Sequence, residues 1–469
     1  MNRTDLVVIG GGPGGYAAAF LAADLGLKVA VVDPEANPGG VCLYRGCIPS
    51  KTLLHVMKVI DESRRAAAWG IEFKKPRVSL DRLRRFKDGV VKKLTGGLGG
   101  LAKRRGVAWL RGKARFEDAN ILKIRGERGG SRTLRFEHAI VATGSRPIEL
   151  PDLNLDTPGV MDSNGALEMK EIPRRLLVVG GGYIGLELGM VYAALGSRVS
   201  VAEKTGGLLP GVDRDLVGVL KRRLDEAIEA ILLETTVAQI KQQKNGLRVE
   251  FEGASAGRKV FDRVLLAVGR RPDTSDLGLE NTRVEVDDRG FIRVDEQRRT
   301  AEPAIFAVGD VTGEPMLAHK ASHEGRIAVR ALSGRDAVFE PRAIPAVVFT
   351  DPEIAWCGLT ETGGGGGREV RVVRFPWSAS GRAATLGRSD GITKLLVDAA
   401  SGRVLGVGMA GPGAGELIAE GVLALEMEAD VEDIGLSIHP HPTLSETVME
   451  AAHLFAGESA HYVRPKRKK

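Results

Sequence analysis

A repeated glycine motif limits what this chain can fold into more than any other feature. The apolar run Leu6-Val7-Val8-Ile9 leads into Gly10-Gly11-Gly12-Pro13-Gly14-Gly15, an Ala-rich stretch over 16–25, and an apolar run over 29–32 that ends in Asp33. The same order returns as Leu176-Leu177-Val178-Val179, Gly180-Gly181-Gly182-Tyr183-Ile184-Gly185, a helical stretch towards Leu195, and a run over 199–202 that ends in Glu203. First glycine and acid stand at 10 and 33 in one copy and at 180 and 203 in the other, a spacing of 23 each time. Each copy reads as strand, tight turn, helix and strand, with G-x-G-x-x-G at the turn and an acid about twenty residues on. The first glycine permits the turn, the second admits a pyrophosphate to the backbone, and the third lets helix and strand pack closely. Unpaired N–H groups at the helix start attract phosphate, and the acid accepts hydrogen bonds from a ribose. One copy is a weak signal. Two with matched context predict two bound dinucleotides.

The 469 residues allow about three domains. With 43% hydrophobic and 27% charged residues the chain is no disordered polymer. Its 61 glycines show no three-residue period with proline, which excludes collagen. The net charge of +7 is spread over both signs along the chain and reads as solubility. The basic stretch 82–105 reads as a solvated helix face, and no nucleic-acid-reading motif accompanies it. No apolar run approaches the ~18–20 residues of a membrane span, and the first strand begins too early for a signal peptide. A cytoplasmic protein is expected.

Further strand ends fit the same sheets: 139–141 before Ala142-Thr143-Gly144, 264–268 before Gly269-Arg270, and 305–308 before Gly309-Asp310. Near 343 the texture changes, with strand-like runs at 347–349, 370–373 and 394–397 and helical stretches at 415–428 and 443–455. The expected fold is α/β, with two Rossmann-like dinucleotide-binding domains and a C-terminal α+β domain. The expected divisions are 1–148 and 149–275 for the two nucleotide units, 276–342 for a central region completing the first site, and 343–469 for the last domain. The glycine run 363–367 reads as a flexible surface loop.

Nine residues after Asp33 comes Cys42-Leu43-Tyr44-Arg45-Gly46-Cys47, followed by Ile48-Pro49-Ser50-Lys51. Five residues of ideal helix rise about 7.5 Å, beyond the ~7 Å Cα limit for a disulfide, so a bridge needs a bent segment, which Gly46 permits. A strained bridge is easily reduced. A zinc site would need two further ligands nearby, and they are absent. Beside a dinucleotide fingerprint the pair points to redox chemistry. Near the C-terminus His439-Pro440-His441-Pro442-Thr443-Leu444-Ser445-Glu446 puts two histidines and a carboxylate before a helix, a pattern suited to moving a thiol proton near pH 7.

As a set and in order, these motifs resemble the flavin-dependent pyridine nucleotide–disulfide oxidoreductases, in particular their dihydrolipoamide-oxidising branch. The likeness includes Gly40 to Lys51, Gly180 to Gly189, Met316-Leu317-Ala318-His319-Lys320, Thr350-Asp351-Pro352-Glu353-Ile354-Ala355-Trp356, Phe375-Pro376-Trp377 and His439 to Glu446. It implies FAD on the first fingerprint (Gly10, Gly12, Gly15), with Asp33 on the adenosine ribose, Thr143, Gly144 and Ser145 nearby, and Asp310 on the ribityl chain. Met316, Leu317, Ala318 and His319 would open a helix facing the flavin pyrimidine. The second fingerprint (Gly180, Gly182, Tyr183, Ile184, Gly185) would bind NAD, with Glu203 on the 2′-hydroxyl and against the extra phosphate of NADP. Gly40, Ala114, Val237, Gly269 and Arg270 join the implied cofactor contacts. Lys51 and Glu187 would form an ion pair at the flavin.

The implied reaction passes electrons from dihydrolipoamide to a Cys42–Cys47 disulfide, then to FAD and NAD. Cys42 would be the outer sulfur, Cys47 the inner one, and His441, held by Glu446, the base supplied by the partner in a homodimer. His439 would be structural. The substrate would arrive on a lipoyl domain of a 2-oxo acid dehydrogenase or glycine cleavage complex, whose acyltransferase core is an implied partner. No metal is implied. Tyr44-Arg45 departs from the Asn-Val usual in the family, and the added cation is expected to act on the cysteines. Cys357 reads as a buried structural thiol. NADP-linked disulfide reductases of the same scaffold would carry arginines in place of Glu203, and mercuric reductase a C-terminal cysteine pair absent here. A nucleic-acid-binding role for 82–105 and the basic tail 466–469 is the rival from another class.

Overall fold

Two parallel sheets, one for each glycine repeat, form the body of the chain, and an antiparallel sheet closes its C-terminal end. The computed structural model describes residues 2–463 apart from 127–128, 152 and 365–366. The basic tail 466–469 and part of the glycine run 363–367 lie outside the described residues.

In the first sheet β1 (Arg3–Ile9) pairs in parallel with β2 (Val29–Asp33), which pairs with β3 (Ala108–Arg111). On its other side β1 meets β6 (Ser131–Val141), flanked by the antiparallel strands β5 (Ile121–Arg125) and β4 (Lys113–Asp118). Leu6, Val7, Val8 and Ile9 are buried on both faces, which is why β1 reads as a continuous apolar run and not as an alternation. Helix α1 (Pro13–Asp24) follows β1, and α2 (Gly40–Arg45) and α3 (Cys47–Arg65) follow β2, before the long α4 (Leu80–Arg104). The strand Ile305–Ala307 returns from the middle of the chain to pair with β6. The helix Ala318–Leu332 lies so close on α1 that a Cβ at Gly325 would sit 2.5 Å from the Gly14 carbonyl oxygen.

The second sheet repeats the plan: Ala230–Leu232, Arg198–Ala202, Arg175–Val179, Arg263–Leu266 and Val160–Met161 lie side by side, all parallel. Its first helix, α5 (Tyr183–Leu195), is apolar nearly all round and buried between units. The C-terminal sheet runs Ala346–Val348, Glu353–Gly358, Val404–Gly411, Ile392–Asp398, Val370–Pro376. Cys357 is fully buried in its core, and burial pushes its thiol up to about 12, as suits a structural residue. Lys394, also fully buried, ties this sheet to the second unit through Asp213 at 2.6 Å and Asp215 at 2.9 Å, and pairs with Glu361 of its own unit at 2.6 Å. The stretch 82–105 is the largely exposed α4. No helix among the described residues is long and apolar enough to cross a membrane.

Candidate active site

The two glycine turns are built alike. Asp33 accepts from the Gly11 N–H at 2.6 Å and the Glu35 N–H at 2.7 Å. Glu203 accepts from the Gly181 N–H and the Thr205 N–H, both at 2.7 Å. A Cβ at Gly15 would lie 1.9 Å from the Gly10 carbonyl oxygen, and one at Gly185 2.3 Å from that of Gly180, so only glycine fits where helix meets strand. Burial raises the Asp33 carboxyl above its usual range despite those two N–H groups.

What covers the turns differs. Gly40, at the start of α2, lies against Gly12, and a Cβ there would come within 2.5 Å of the Gly12 Cα. A Cβ at Gly182, the counterpart of Gly12, would meet nothing within 4 Å. A loop bonds to each turn, Gly39 N–H to the Gly11 carbonyl at 2.8 Å and Leu209 N–H to the Gly181 carbonyl at 3.0 Å, but the first loop also roofs Gly12 with Gly40, whereas the second leaves Gly182 uncovered.

Beneath that roof lies a cavity of about 490 Å³. It is lined at one end by Gly10, Gly12, Asp33, Glu35 and Arg45, and along its length by Ala114, Thr143, Gly144, Ser145, Asp310, Met316 and Ala318. Its other end reaches Cys42, Cys47, Lys51, Tyr183, Ile184, Glu187 and Arg270. The second unit thus contributes the start of α5 to the wall. Asp310 is held by the Ser145 hydroxyl, and Arg270 donates to the same hydroxyl at 2.8 Å. The fully buried Glu324 accepts the Gly309 N–H at 2.6 Å and so pins the turn bearing Asp310.

The chain breaks between α2 and α3 at Gly46 (φ −140°, ψ −115°), which brings Cys42 and Cys47 into hydrogen-bonding contact. The bend expected at Gly46 is there. No bridge joins the two sulfurs here. Cys47 is lowered to about 7 because the Cys42 thiol donates to it and Lys51 adds positive charge, against the effect of burial. Cys42, the donor, is raised, and burial adds to that. Lys51 Nζ lies 2.7 Å from Glu187 Oε2, and the second oxygen of the buried Glu187 accepts the Phe349 N–H at 2.9 Å.

Near the C-terminus His441 Nδ1 meets Glu446 Oε1 at 2.9 Å, and the other oxygen takes the Thr443 N–H at 2.7 Å. Burial pushes Glu446 up, but the Thr443 N–H and His441 outweigh it and hold the carboxyl below its usual range. The His441 side chain is 74% exposed and does not line the cavity. His439, by contrast, is nearly buried, bonded to Glu420 and to the Ser437 carbonyl, both at 2.7 Å.

Residues 4–325 match the family described as pyridine nucleotide-disulphide oxidoreductase, and residues 344–452 match its dimerisation domain. The chain belongs to this family. It is 47% identical to dihydrolipoyl dehydrogenase of Haemophilus influenzae over 97% of this chain and 95% of that one. It is 46% identical to dihydrolipoyl dehydrogenase of Thermus scotoductus over 98% of this chain and 99% of that one. Among solved structures it superposes on LpdA of Mycobacterium tuberculosis with a TM-score of 0.90 at 27% identity, covering 97% of this chain and all of that one. The flavoprotein disulfide reductase RclA of Escherichia coli gives 0.87 at 29% identity over 97% of this chain and all of its own.

FAD and NAD are the cofactors of this oxidoreductase family. The residues suit them: the start of the first helix beside Gly12 leaves space for a phosphate, and the cavity that Gly12 lines also reaches Cys42 and Cys47. Some expected contacts fall elsewhere. Val237 is buried in the apolar core shared by the second sheet and the antiparallel strands beside it, because its position on Thr235–Gln243 faces inward. Leu317 and His319 lie off the cavity wall, and His319 Nε2 is instead 2.8 Å from the Pro345 carbonyl oxygen.

Arg45, expected to act on the cysteines, turns its guanidinium towards acids. It is ion-paired with Glu35, and its charge falls on Asp33, whereas the charges acting on Cys47 are those of Lys51 and Glu187. Sequence reasoning passed over Phe349, whose only signal is its place next to Thr350-Asp351-Pro352.

Proposed function

We propose that the chain is a dihydrolipoyl dehydrogenase that oxidises dihydrolipoamide to lipoamide and reduces NAD⁺ to NADH. The supporting observation is the Cys42–Cys47 pair at the end of one cavity that begins at the roofed glycine turn and abuts the helix of the second turn. In this reading Gly10, Gly12, Gly15, Asp33, Gly40, Ala114, Thr143, Gly144, Ser145, Asp310, Met316 and Ala318 hold FAD. Gly180, Gly182, Tyr183, Ile184, Gly185, Glu203, Gly269 and Arg270 hold NAD. In the same reading the chain divides at 148, 275 and 342, with the central stretch serving the FAD unit.

The sulfur chemistry starts from the Cys42–Cys47 disulfide. One substrate thiolate attacks Cys42, the S–S bond breaks, and Cys47 leaves as the thiolate that the Lys51 charge favours. The second substrate thiol gives its proton to His441 and attacks the substrate sulfur joined to Cys42. The lipoyl ring closes, and Cys42 departs with the proton that His441 returns. FAD held in this cavity would supply the acceptor for the Cys47 electron pair and the hydride donor for NAD⁺.

Because His441 is exposed and off its own chain's cavity, the base is supplied by the partner in a homodimer. The match to a dimerisation domain and the exposed Leu423, Met427, Leu436 and Ile438 on the C-terminal unit support that assembly. The substrate is carried by a lipoyl domain on an acyltransferase core, in the cytoplasm. NADH formation from dihydrolipoamide tests the reading. Cys42→Ser and Cys47→Ser should each abolish it, and His441→Gln should lower kcat by about 10²–10⁴. Turnover surviving either serine substitution would overturn it.

A further inference from the structure

Three units of the fold meet at Lys51, and one participant has no assigned part. Lys51 belongs to the redox helix α3, Glu187 to the second nucleotide unit, and Phe349 to the C-terminal unit. The Phe349 N–H donates to Glu187 Oε1 at 2.9 Å, leaving Oε2 for Lys51 at 2.7 Å. Its ring lies beneath the same ammonium, with Nζ 4.7 Å from the ring centroid. An ammonium over an aromatic face is attracted by the ring quadrupole, more strongly where water is scarce. The Lys51 side chain is 31% exposed, so Glu187 alone leaves its long stem room to swing towards the cavity.

We infer that Phe349 is a positioning residue for the sulfur chemistry: its amide orients Glu187 and its ring holds the Lys51 ammonium where it supports negative charge on Cys47. The inference rests on the proposed sulfur relay and adds a residue to it. Other groups face the pair: Cys42 from α2, Glu187 and Tyr183 from α5, and Tyr16 from α1. The Lys51 ammonium supplies the positive charge that favours the Cys47 thiolate. Loosening it removes favourable charge from the thiolate, so the thiol must titrate higher.

The test uses the two-electron-reduced holoenzyme and follows its long-wavelength thiolate–flavin absorbance against pH. Phe349→Leu keeps the amide and removes the ring, and the midpoint should rise by roughly half a pH unit, the size of a lost cation–π contact. Phe349→Tyr keeps an electron-rich face and should restore the wild-type midpoint. Phenylalanine carrying one, two or three ring fluorines at 349 keeps size and fold while weakening the quadrupole, and the midpoint should climb with each fluorine. A flat fluorine series, or Phe349→Leu matching wild type, would overturn the inference. Absence of the band in the wild-type enzyme would instead overturn the relay on which it rests.

Discussion

The two glycine turns agree down to the hydrogen bonds between acid and backbone, yet they sit in different surroundings. Around Gly12 the start of the helix bearing Cys42 folds back as a roof, and the strand Ile305–Ala307, which begins 293 residues after Gly12, returns with the following helix to close the unit. The second turn is flanked too, by a loop whose Leu209 N–H donates to the Gly181 carbonyl at 3.0 Å, but nothing comes within 4 Å of a Cβ at Gly182. The same local fingerprint therefore builds a site that retains its ligand and a site that exchanges it. A flavin that must stay through many turnovers fits the first, and a nicotinamide nucleotide that must leave fits the second.

The largest expected effect comes from filling the tightest contact in each turn. Gly15→Ala should cost about tenfold or more in flavin retention after gel filtration, since a backbone oxygen stands 1.9 Å from the new Cβ. Gly185→Ala should leave the protein yellow and instead raise the KM for NAD⁺ by about tenfold. Flavin loss from both variants would erase the distinction. Next is the roof: Gly40→Ala strains a residue at φ +56° and presses on Gly12, so flavin should dissociate about tenfold faster with the KM for NAD⁺ unchanged. Gly182→Ala, facing open space, should leave flavin dissociation at the wild-type rate.

The acids give a smaller contrast. Glu203→Gln keeps the shape and removes the charge, so kcat/KM with NAD⁺ should fall by about fivefold to tenfold, NADP⁺ should gain, and flavin content should hold. If NADP⁺ gains nothing, Glu203 is a backbone brace and not a nucleotide selector. The smallest effect is expected for Arg45→Val. Its charge is spent on Glu35 and Asp33, so the disulfide potential should stay put while flavin affinity weakens by about twofold to threefold. A shifted potential would restore the role in sulfur chemistry that the sequence suggested.

The repeat and the sulfur pair were legible because each is local. A turn needing glycine at fixed offsets, an acid one strand later, and a helix that must break at Gly46 all leave their mark within thirty residues. The roof was not legible, since Gly40 meets Gly12 across a loop with no pattern of its own. Nor was Phe349, which reaches Lys51 from 298 positions away through an amide that any residue supplies. The Arg45 partner was not legible for a related reason: closeness in sequence to Cys42 and Cys47 says nothing about which way a side chain turns, and here it turns to Glu35. Val237 was carried over from the family resemblance, while the inward register of its strand buries it.

One titration joins both halves of the comparison. The purified protein is reduced anaerobically with dihydrolipoamide while visible absorbance is recorded, and NAD⁺ is then added. Retained flavin should develop a long-wavelength thiolate band with one equivalent of dithiol, stronger above pH 7 than below because Cys47 ionises near there. Added NAD⁺ should then discharge it with formation of NADH. A protein that is colourless, or whose flavin ignores the dithiol, would contradict the account.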